Sequence, residues 1–288
     1  MFTKLKKEYL RFIRKQYFKN KNYYNKNVLL RDVFGKKRSR RVLLSTLTSS
    51  LTNEINFSHT NLLEHRIEAE IFDEFGYSVD VTNFNSTSSY FAANKYSVVY
   101  GGGASLIDSL HDKNCRSICY STGVFSYTQK LNTYNSLKRF ANTSNKYAYS
   151  SIRDVDVNLD YLYFTDCIVI LGNSYTADTY VINSNIDRKK IYELNAFYFD
   201  IVKPSFCMSK INRSRNNFIW FGSSGFVHKG LDILIEFFRQ NPSLQLYICG
   251  ANPREKEFFS YYKKELSNKI DNIHNCGFVD LKGEIFKN

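Results

Sequence analysis

A glycine-rich loop around one lysine, Lys229, is the part of this sequence best suited to chemistry. The apolar run Phe218–Phe221 before it predicts a buried strand, and apolar residues at helical spacing from Leu231 onwards predict a helix after it. A helix start offers unpaired backbone N–H groups and the positive end of the helix dipole, so together with a lysine it suits a phosphate group. The glycines of the loop are Gly222, Gly225 and Gly230. The alternative is an ordinary strand–turn–helix unit, because glycines commonly mark turns.

The elements that position such a loop alternate along the chain from Arg41 onwards. Short apolar runs predict strands, and segments such as Asn61–Phe75, with apolar residues at helical spacing, predict helices between them. The predicted strands before the loop are 42–45, 77–81, 97–100, 116–120, 167–171 and a last one near 191. This alternation predicts an α/β fold with a mostly parallel sheet that is covered on both faces. Ligands of such a sheet bind at the carboxyl ends of its strands.

The residues from Phe218 onwards resemble the start of the donor-binding domain of GT-B glycosyltransferases, in the retaining group that includes glycosyltransferase family 4. The pattern there is an apolar strand, a glycine, a variable loop, Lys-Gly, Leu-Asp and an apolar helix. Further elements follow here in the same order. They are a strand ending in glycine (244–250), a helix (255–267) and a strand running into a Gly-Phe-Val turn (272–279).

A weaker resemblance extends toward the N-terminus, through residues 58–61, 75–81 and 153–174, so that it covers about 41–288. It implies two Rossmann-like domains of the GT-B type, the second of them incomplete. The implied organisation is a basic amphipathic segment (1–41), an acceptor domain (42–202), a linker (203–216) and a partial donor-binding domain (217–288).

The resemblance implies a hexosyltransferase-type enzyme that moves a sugar from a nucleotide-diphosphate donor to a glycan or lipid-linked acceptor in the cleft between the domains, with retention of configuration. Lys229 is the residue implied to stabilise the leaving diphosphate, without a metal ion or cofactor. The residues implied to line the diphosphate with it are Gly222, Ser223, Gly225 and Gly230. Those implied to face the acceptor are His59, Thr122 and Gly123. For His59, capping of the helix at Asn61 is an equal alternative.

Three departures from the family pattern favour a rival hypothesis, a truncated non-catalytic remnant or partner subunit that keeps the fold. Ser223 stands where the family usually has an arginine, and Phe125 stands where related proteins have a histidine. The third departure is a later pair of glutamates, which the family uses for the donor sugar and ribose and which lies beyond the Gly-Phe-Val turn, past the end of this sequence at Asn288.

Positive charge is concentrated at the N-terminus. Residues 1–41 carry 15 Lys and Arg against 2 acidic residues, a net charge of +13 that equals the charge of the whole chain. Residues 1–18 predict a basic amphipathic helix, which favours peripheral contact with an anionic membrane surface. Packing on the protein body and a solvated tail are the alternatives. Nucleic acid is disfavoured as a partner, because the basic charge does not continue into the body.

Other features of the sequence restrict the cellular compartment and the class of function. The six cysteines show no spacing typical of a metal site or a disulfide framework, and no apolar run approaches the roughly 18 residues of a membrane span. These features favour a cytoplasmic protein, peripheral on the inner face of the cell membrane. No GxGxxG follows the strand at Val42–Ser45, which disfavours a nicotinamide-dependent enzyme. His65, His111 and His274 are predicted to lack partners.

Overall fold

The computed structural model describes residues 27–52, 60–152, 160–198, 215–251 and 254–279. The predicted helix at 1–18, His59 and nearly all of the predicted linker therefore lie outside the described residues. The chain divides into two compact units, each built from two stretches of sequence. The first unit takes Met1–Ser126 and Asp156–Tyr198, and the second takes Tyr127–Val155 and Phe199–Asn288.

The first unit contains a seven-stranded sheet in the order β1-β3-β2-β4-β5-β6-β7. Its strands are β1 (Leu29–Leu30), β2 (Arg41–Thr46), β3 (Ser78–Asn83), β4 (Val98–Gly101), β5 (Arg116–Ser121), β6 (Cys167–Leu171) and β7 (Ile191–Leu194). All neighbours run parallel except β1, which pairs antiparallel with β3. The predicted α/β class with a mostly parallel sheet is therefore confirmed.

Helices connect most of the strands in both units. The described α-helices are α1 (Ser49–Thr52), α2 (Asn61–Glu74), α3 (Gly103–Ser109), α4 (Ser126–Ser144), α5 (Ser174–Ser184), α6 (Leu231–Gln240), α7 (Lys256–Tyr261) and α8 (Lys263–Leu266). All but three residues of the long helix predicted at 255–267 are helical, but the helix is divided into α7 and α8 at Tyr262. None of the described helices combines the length and the apolar character that crossing a bilayer requires.

The core of the first unit lies on both faces of its sheet. Leu43 of β2 packs in one apolar cluster, whereas its neighbours Val42 and Leu44 pack in another. Successive side chains of a strand point to opposite faces, so a sheet covered on both sides needs apolar residues at every position. This requirement explains the unbroken apolar run in β2.

The described part of the basic N-terminal segment is attached to the first unit. Asp73 of α2 forms ion pairs with Lys36 (2.6 Å) and Arg38 (3.0 Å). Arg40 lies 4.6 Å from the centre of the Tyr77 ring. With Arg41, which pairs with Asp80, four of the six cations in residues 27–41 contact partners within this unit.

Asp80 is a fully buried carboxylate on β3 with three hydrogen-bond donors. These donors are Arg41 Nη2 at 2.5 Å, Tyr96 Oη at 2.7 Å and the backbone N–H of Asp32 at 2.8 Å. Burial raises the pKa of the Asp80 carboxyl, but hydrogen bonds to its charged form outweigh that effect and lower the pKa below its usual range. The ionised form therefore stabilises the folded state.

The Asp80→Asn variant tests this contribution. A carboxyl whose folded-state pKa is depressed contributes its stability above the unfolded-state pKa of about 3.9 and loses it as pH falls through the folded value. We expect the variant to be less stable than the wild type by about 3 kcal/mol at pH 6, and by less at pH 3. Urea unfolding followed by circular dichroism measures both values. Asp178→Asn, which removes an exposed carboxyl on α5, is the control, and equal behaviour of the two variants would contradict the prediction.

The carboxyl ends of β2 and β4 approach too closely for a side chain. Gly101 has φ +118°, and a Cβ there would lie 2.1 Å from the carbonyl oxygen of Ser45. The next residue, Gly102, has space around it, because no atom lies within 4 Å of its Cβ position. Only Gly101 is therefore required to be glycine by this contact.

The adjacent glycines form a matched pair for measurement. We expect Gly101→Ala to destabilise the first unit by roughly 3 kcal/mol or more, through backbone strain and the clash with Ser45. Gly102→Ala, at the N-cap of α3, should cost less than about 1 kcal/mol. Thermal and urea unfolding of the two variants check the difference, and similar losses would show that the close approach is not required.

Candidate functional site

The second unit presents a row of glycines at the carboxyl edge of its parallel sheet. The three described strands lie in the order β10-β9-β8 and are β8 (Asn217–Phe221), β9 (Gln245–Cys249) and β10 (Ile273–Gly277). Gly222 follows β8, Gly250 follows β9, and Gly277 ends β10. A Cβ on Gly250 would lie 2.1 Å from the carbonyl oxygen of Gly222, so these backbones meet without side chains between them.

Lys229 lies over the first glycine of this row. Its side chain is exposed, and its Cδ is 3.4 Å from the position that a Cβ on Gly222 would take. The backbone of Lys229 is fixed at both ends, because its N–H donates to Gly225 O at 2.8 Å and its carbonyl accepts from Trp220 Nε1 at 3.3 Å. The structure thus brings together Lys229 and Gly222, with the exposed Ser223 next in the chain.

The two other glycines of the loop shape its backbone. Gly225 has φ +75° and Gly230 has φ +73°, a left-handed conformation that residues with a Cβ rarely adopt. Gly230 is the N-cap of α6, and its carbonyl accepts the first helical hydrogen bond, from Leu234 N–H at 3.2 Å. The loop conformation therefore depends on both glycines.

A carboxylate of the protein itself accepts hydrogen bonds from two backbone N–H groups of the loop. The amides of Gly225 and Phe226 donate to Glu255, at 2.5 Å and 3.2 Å. Glu255 is 3% exposed and also accepts a hydrogen bond from the Ser151 hydroxyl. On this side of the loop, the position that would suit an anion is filled by Glu255.

A second carboxylate lies at the start of α6. Asp232 is buried in the first turn and binds Arg139 of α4 through both oxygens, at 3.1 Å from Nε and 3.0 Å from Nη2. Arg139 Nη2 also donates to the carbonyl of Val227 in the loop, at 2.9 Å. Negative charge near a helix start is favourable, so Asp232 and Arg139 together hold the loop against α4.

Sequence patterns missed both of these features. No helix was predicted at 126–144, although Phe140 of α4 stacks on Phe258 of α7 at a ring distance of 5.9 Å. Glu255 was placed only at the start of a helix. Neither contact follows from residue spacing, because burial and distance to the loop are properties of the fold.

The prediction that Phe218–Phe221 is a buried strand is wrong in one respect. The strand is present as β8, but only Trp220 is buried, and Phe218, Ile219 and Phe221 are 45%, 54% and 57% exposed. The physical reason is that β8 lies at the edge of the described three-stranded sheet. Burial of a strand depends on its neighbours in the sheet, which an apolar run does not specify.

The predicted acceptor residues that the structure describes lie in the first unit. Thr122 and Gly123 directly follow β5; Thr122 is exposed, and Gly123 has φ +133°. The carbonyl of Gly123 accepts a hydrogen bond from Tyr180 Oη at 3.0 Å. Phe125, two residues later, packs its ring edge-on against Tyr180 at 5.4 Å.

The prediction that three histidines lack partners is wrong. His65 is buried, with Nδ1 2.7 Å from Glu68 Oε2. His274 stacks on Tyr247 at 4.7 Å, and its Nε2 lies 2.8 Å from Gln245 Oε1. His111 also has interactions. The partners of His274 lie on the adjacent strand β9, so spacing along the chain could not reveal them.

Comparison of the chain with protein-family models, with curated proteins and with solved structures finds no match.

Two neighbouring glutamates test the hydrogen bonds of the loop. We expect Glu255→Gln to destabilise the second unit by about 2 kcal/mol, because charge-assisted bonds to two amides and a hydroxyl weaken. Glu257→Gln, at a partly exposed carboxylate that accepts from Ser150 N–H at 3.2 Å, should cost less than about 1 kcal/mol.

Fluorescence of Trp220, the single tryptophan of the chain, reports unfolding of this unit. An effect of Glu255→Gln no larger than that of Glu257→Gln would show that the loop does not depend on Glu255.

Proposed function

We propose that this chain is a glycosyltransferase of the GT-B type, which moves a sugar from a nucleotide-diphosphate donor to a glycan or lipid-linked acceptor with retention of configuration. One observation supports the proposal above all. The side chain of Lys229 lies against Gly222 at the carboxyl edge of a parallel sheet. Ligands of open α/β sheets bind at this edge.

The proposed chemistry requires stabilisation of negative charge on the leaving diphosphate. Lys229 supplies a positive charge for this purpose. The absence of a side chain at Gly222 leaves room for the Trp220 ring and for the Lys229 stem that carries this charge. Ser223 adds a hydroxyl donor. Since the amide of Gly225 already donates to Glu255, we assign the diphosphate to the Gly222–Ser223 side of the loop, beside Lys229.

The proposal assigns the acceptor to the first unit, with Thr122 and Gly123 after β5 as contact residues, together with His59. The nucleotide sugar is the substrate, and neither a metal ion nor a cofactor takes part in the transfer. Residues 1–41 are proposed to hold the protein at the inner face of the cell membrane, where a lipid-linked acceptor is found.

A second candidate function is a non-catalytic subunit that keeps the fold without the chemistry. It is favoured by the Glu255 carboxylate, which accepts the hydrogen bonds of two backbone amides that could otherwise bind a diphosphate. Ser223 and Phe125 favour it as well, because neither side chain supplies the positive charge or the imidazole that related enzymes have at these positions.

Calorimetric titration of the full chain with nucleoside diphosphates and nucleotide sugars separates the two candidates. We expect one donor class to bind, and Lys229→Ala to weaken that binding by at least about tenfold, because a charge-assisted contact to phosphate is lost.

The matched control is Lys264→Ala, which removes an exposed lysine of α8 in the same unit. The absence of heat with every donor would support the non-catalytic subunit. Equal binding by the wild type and Lys229→Ala would remove Lys229 from the site.

A further inference from the structure

Three side chains of types that bind metal ions lie together on the first turns of α2. They are Glu64, His65 and Glu68, and one potential ligand atom from each lies within 4.8 Å of the other two. Glu64 and Glu68 are one helical turn apart and so share a face of the helix. This cluster lies in the first unit and takes no part in the proposed diphosphate site.

Two tyrosines from the sheet hold the carboxylates of this cluster. Tyr100 of β4 donates its hydroxyl to Glu68 Oε1 at 2.7 Å, and Tyr120 of β5 donates to Glu64 Oε1 at 2.6 Å. The two rings stack with their centres 5.6 Å apart. The carboxylate orientations are therefore fixed by groups from two neighbouring strands, in the way that hydrogen bonds from surrounding residues fix the ligands of metal sites.

The cluster buries two carboxyl side chains beside one imidazole. Glu64, His65 and Glu68 are 3%, 8% and 5% exposed. Within the part of the chain that the structure describes, no lysine or arginine forms an ion pair or hydrogen bond with any of them. Buried charges in proteins are normally paired or coordinate a metal ion, because leaving them unpaired is costly. A cation that is not part of the chain would satisfy this requirement.

Among the described residues, two potential ligand atoms of the cluster have no hydrogen-bond partner. Glu64 Oε2 and His65 Nε2 form no hydrogen bond with a described residue, whereas Glu64 Oε1 and His65 Nδ1 each have one. In the tautomer with the proton on Nδ1, the His65 ring donates to Glu68 and keeps a lone pair on Nε2. A carboxylate that orients a histidine in this way is a common feature of metal sites.

We propose that Glu64 and His65 bind one divalent transition-metal ion of the zinc or manganese class, and that Glu68 orients the His65 ring toward it. Imidazole nitrogen together with carboxylate oxygen is a ligand set that these ions accept. The charge of the ion balances the two carboxylates. Because the tyrosines bind the same carboxylates, the ion stabilises the packing of α2 against β4 and β5.

Metal content of the full chain tests the proposal directly. The protein is stripped with EDTA, dialysed against Zn²⁺ or Mn²⁺, separated from free metal and measured by mass spectrometry. We expect about one ion per chain with at least one of the two metals, and a melting temperature about 5 °C above that of the stripped protein.

Glu64→Gln and Glu68→Gln keep the side-chain shape but remove the charge, and should weaken metal binding by at least about tenfold. Glu70→Gln, at an exposed glutamate of the same helix, is the control and should bind like the wild type. The proposal is overturned if the wild type takes up neither metal and its melting temperature does not change. It is also overturned if the Glu64 and Glu68 variants retain the wild-type stoichiometry.

If these variants do not fold, which circular dichroism in EDTA would reveal, wild-type protein loaded with Co²⁺ decides the question. Absorption bands of Co²⁺ bound by imidazole and carboxylate support the site, and the spectrum of the hydrated ion overturns it.

Discussion

Close approach of backbones at the carboxyl ends of parallel strands is the constraint on which the two units of this protein depend. In the first unit it excludes a Cβ at Gly101, beside Ser45, and in the second it excludes one at Gly250, beside Gly222. Both contacts join the ends of adjacent strands. With no side chains between the strand ends, the loops that follow begin from a fixed backbone position, and in the second unit that position lies under Lys229.

Buried carboxylates connect elements that are distant in the sequence, and three of the six described ones do so through an arginine. Asp80, Asp232 and Glu265 are each buried and each ion-paired with an arginine. Such pairs are costly to break, because removal of one partner leaves a buried charge uncompensated. Glu64 and Glu68 differ, since their carboxylates meet tyrosines and a histidine instead. Glu255 binds two backbone amides and a hydroxyl, so the histidine beside two carboxylates is what distinguishes this cluster from the other buried acids.

Features that depend on local periodicity could be predicted from the sequence. The strands β8, β9 and β10 and the helix α6 lie within one or two residues of their predicted positions, because apolar spacing and glycine positions are properties of short segments. The placement of Lys229 beside Gly222 also follows from a short loop between a strand and a helix.

Features that depend on distant contacts could not be predicted in this way. The contact between Glu255 and the loop joins residues 30 positions apart in the sequence, and the exposure of β8 follows from the order of strands in the sheet. The hydrogen bonds from Tyr100 and Tyr120 to the carboxylates beside His65 come from two other strands. None of these contacts has a signature in residue spacing.

The course of the chain through the two units has a consequence for how the protein can be divided. The chain leaves the first unit after Ser126, contributes α4 to the second, and returns to complete the first sheet with β6 and β7. A continuous fragment that contains all seven strands of the first sheet must also contain α4. In such a fragment, the aromatic surface that Phe140 shares with Phe258 would be exposed to water. Neither unit can therefore be isolated by cutting the chain at one point, and the first sheet cannot be completed during synthesis until a helix of the second unit has already been made.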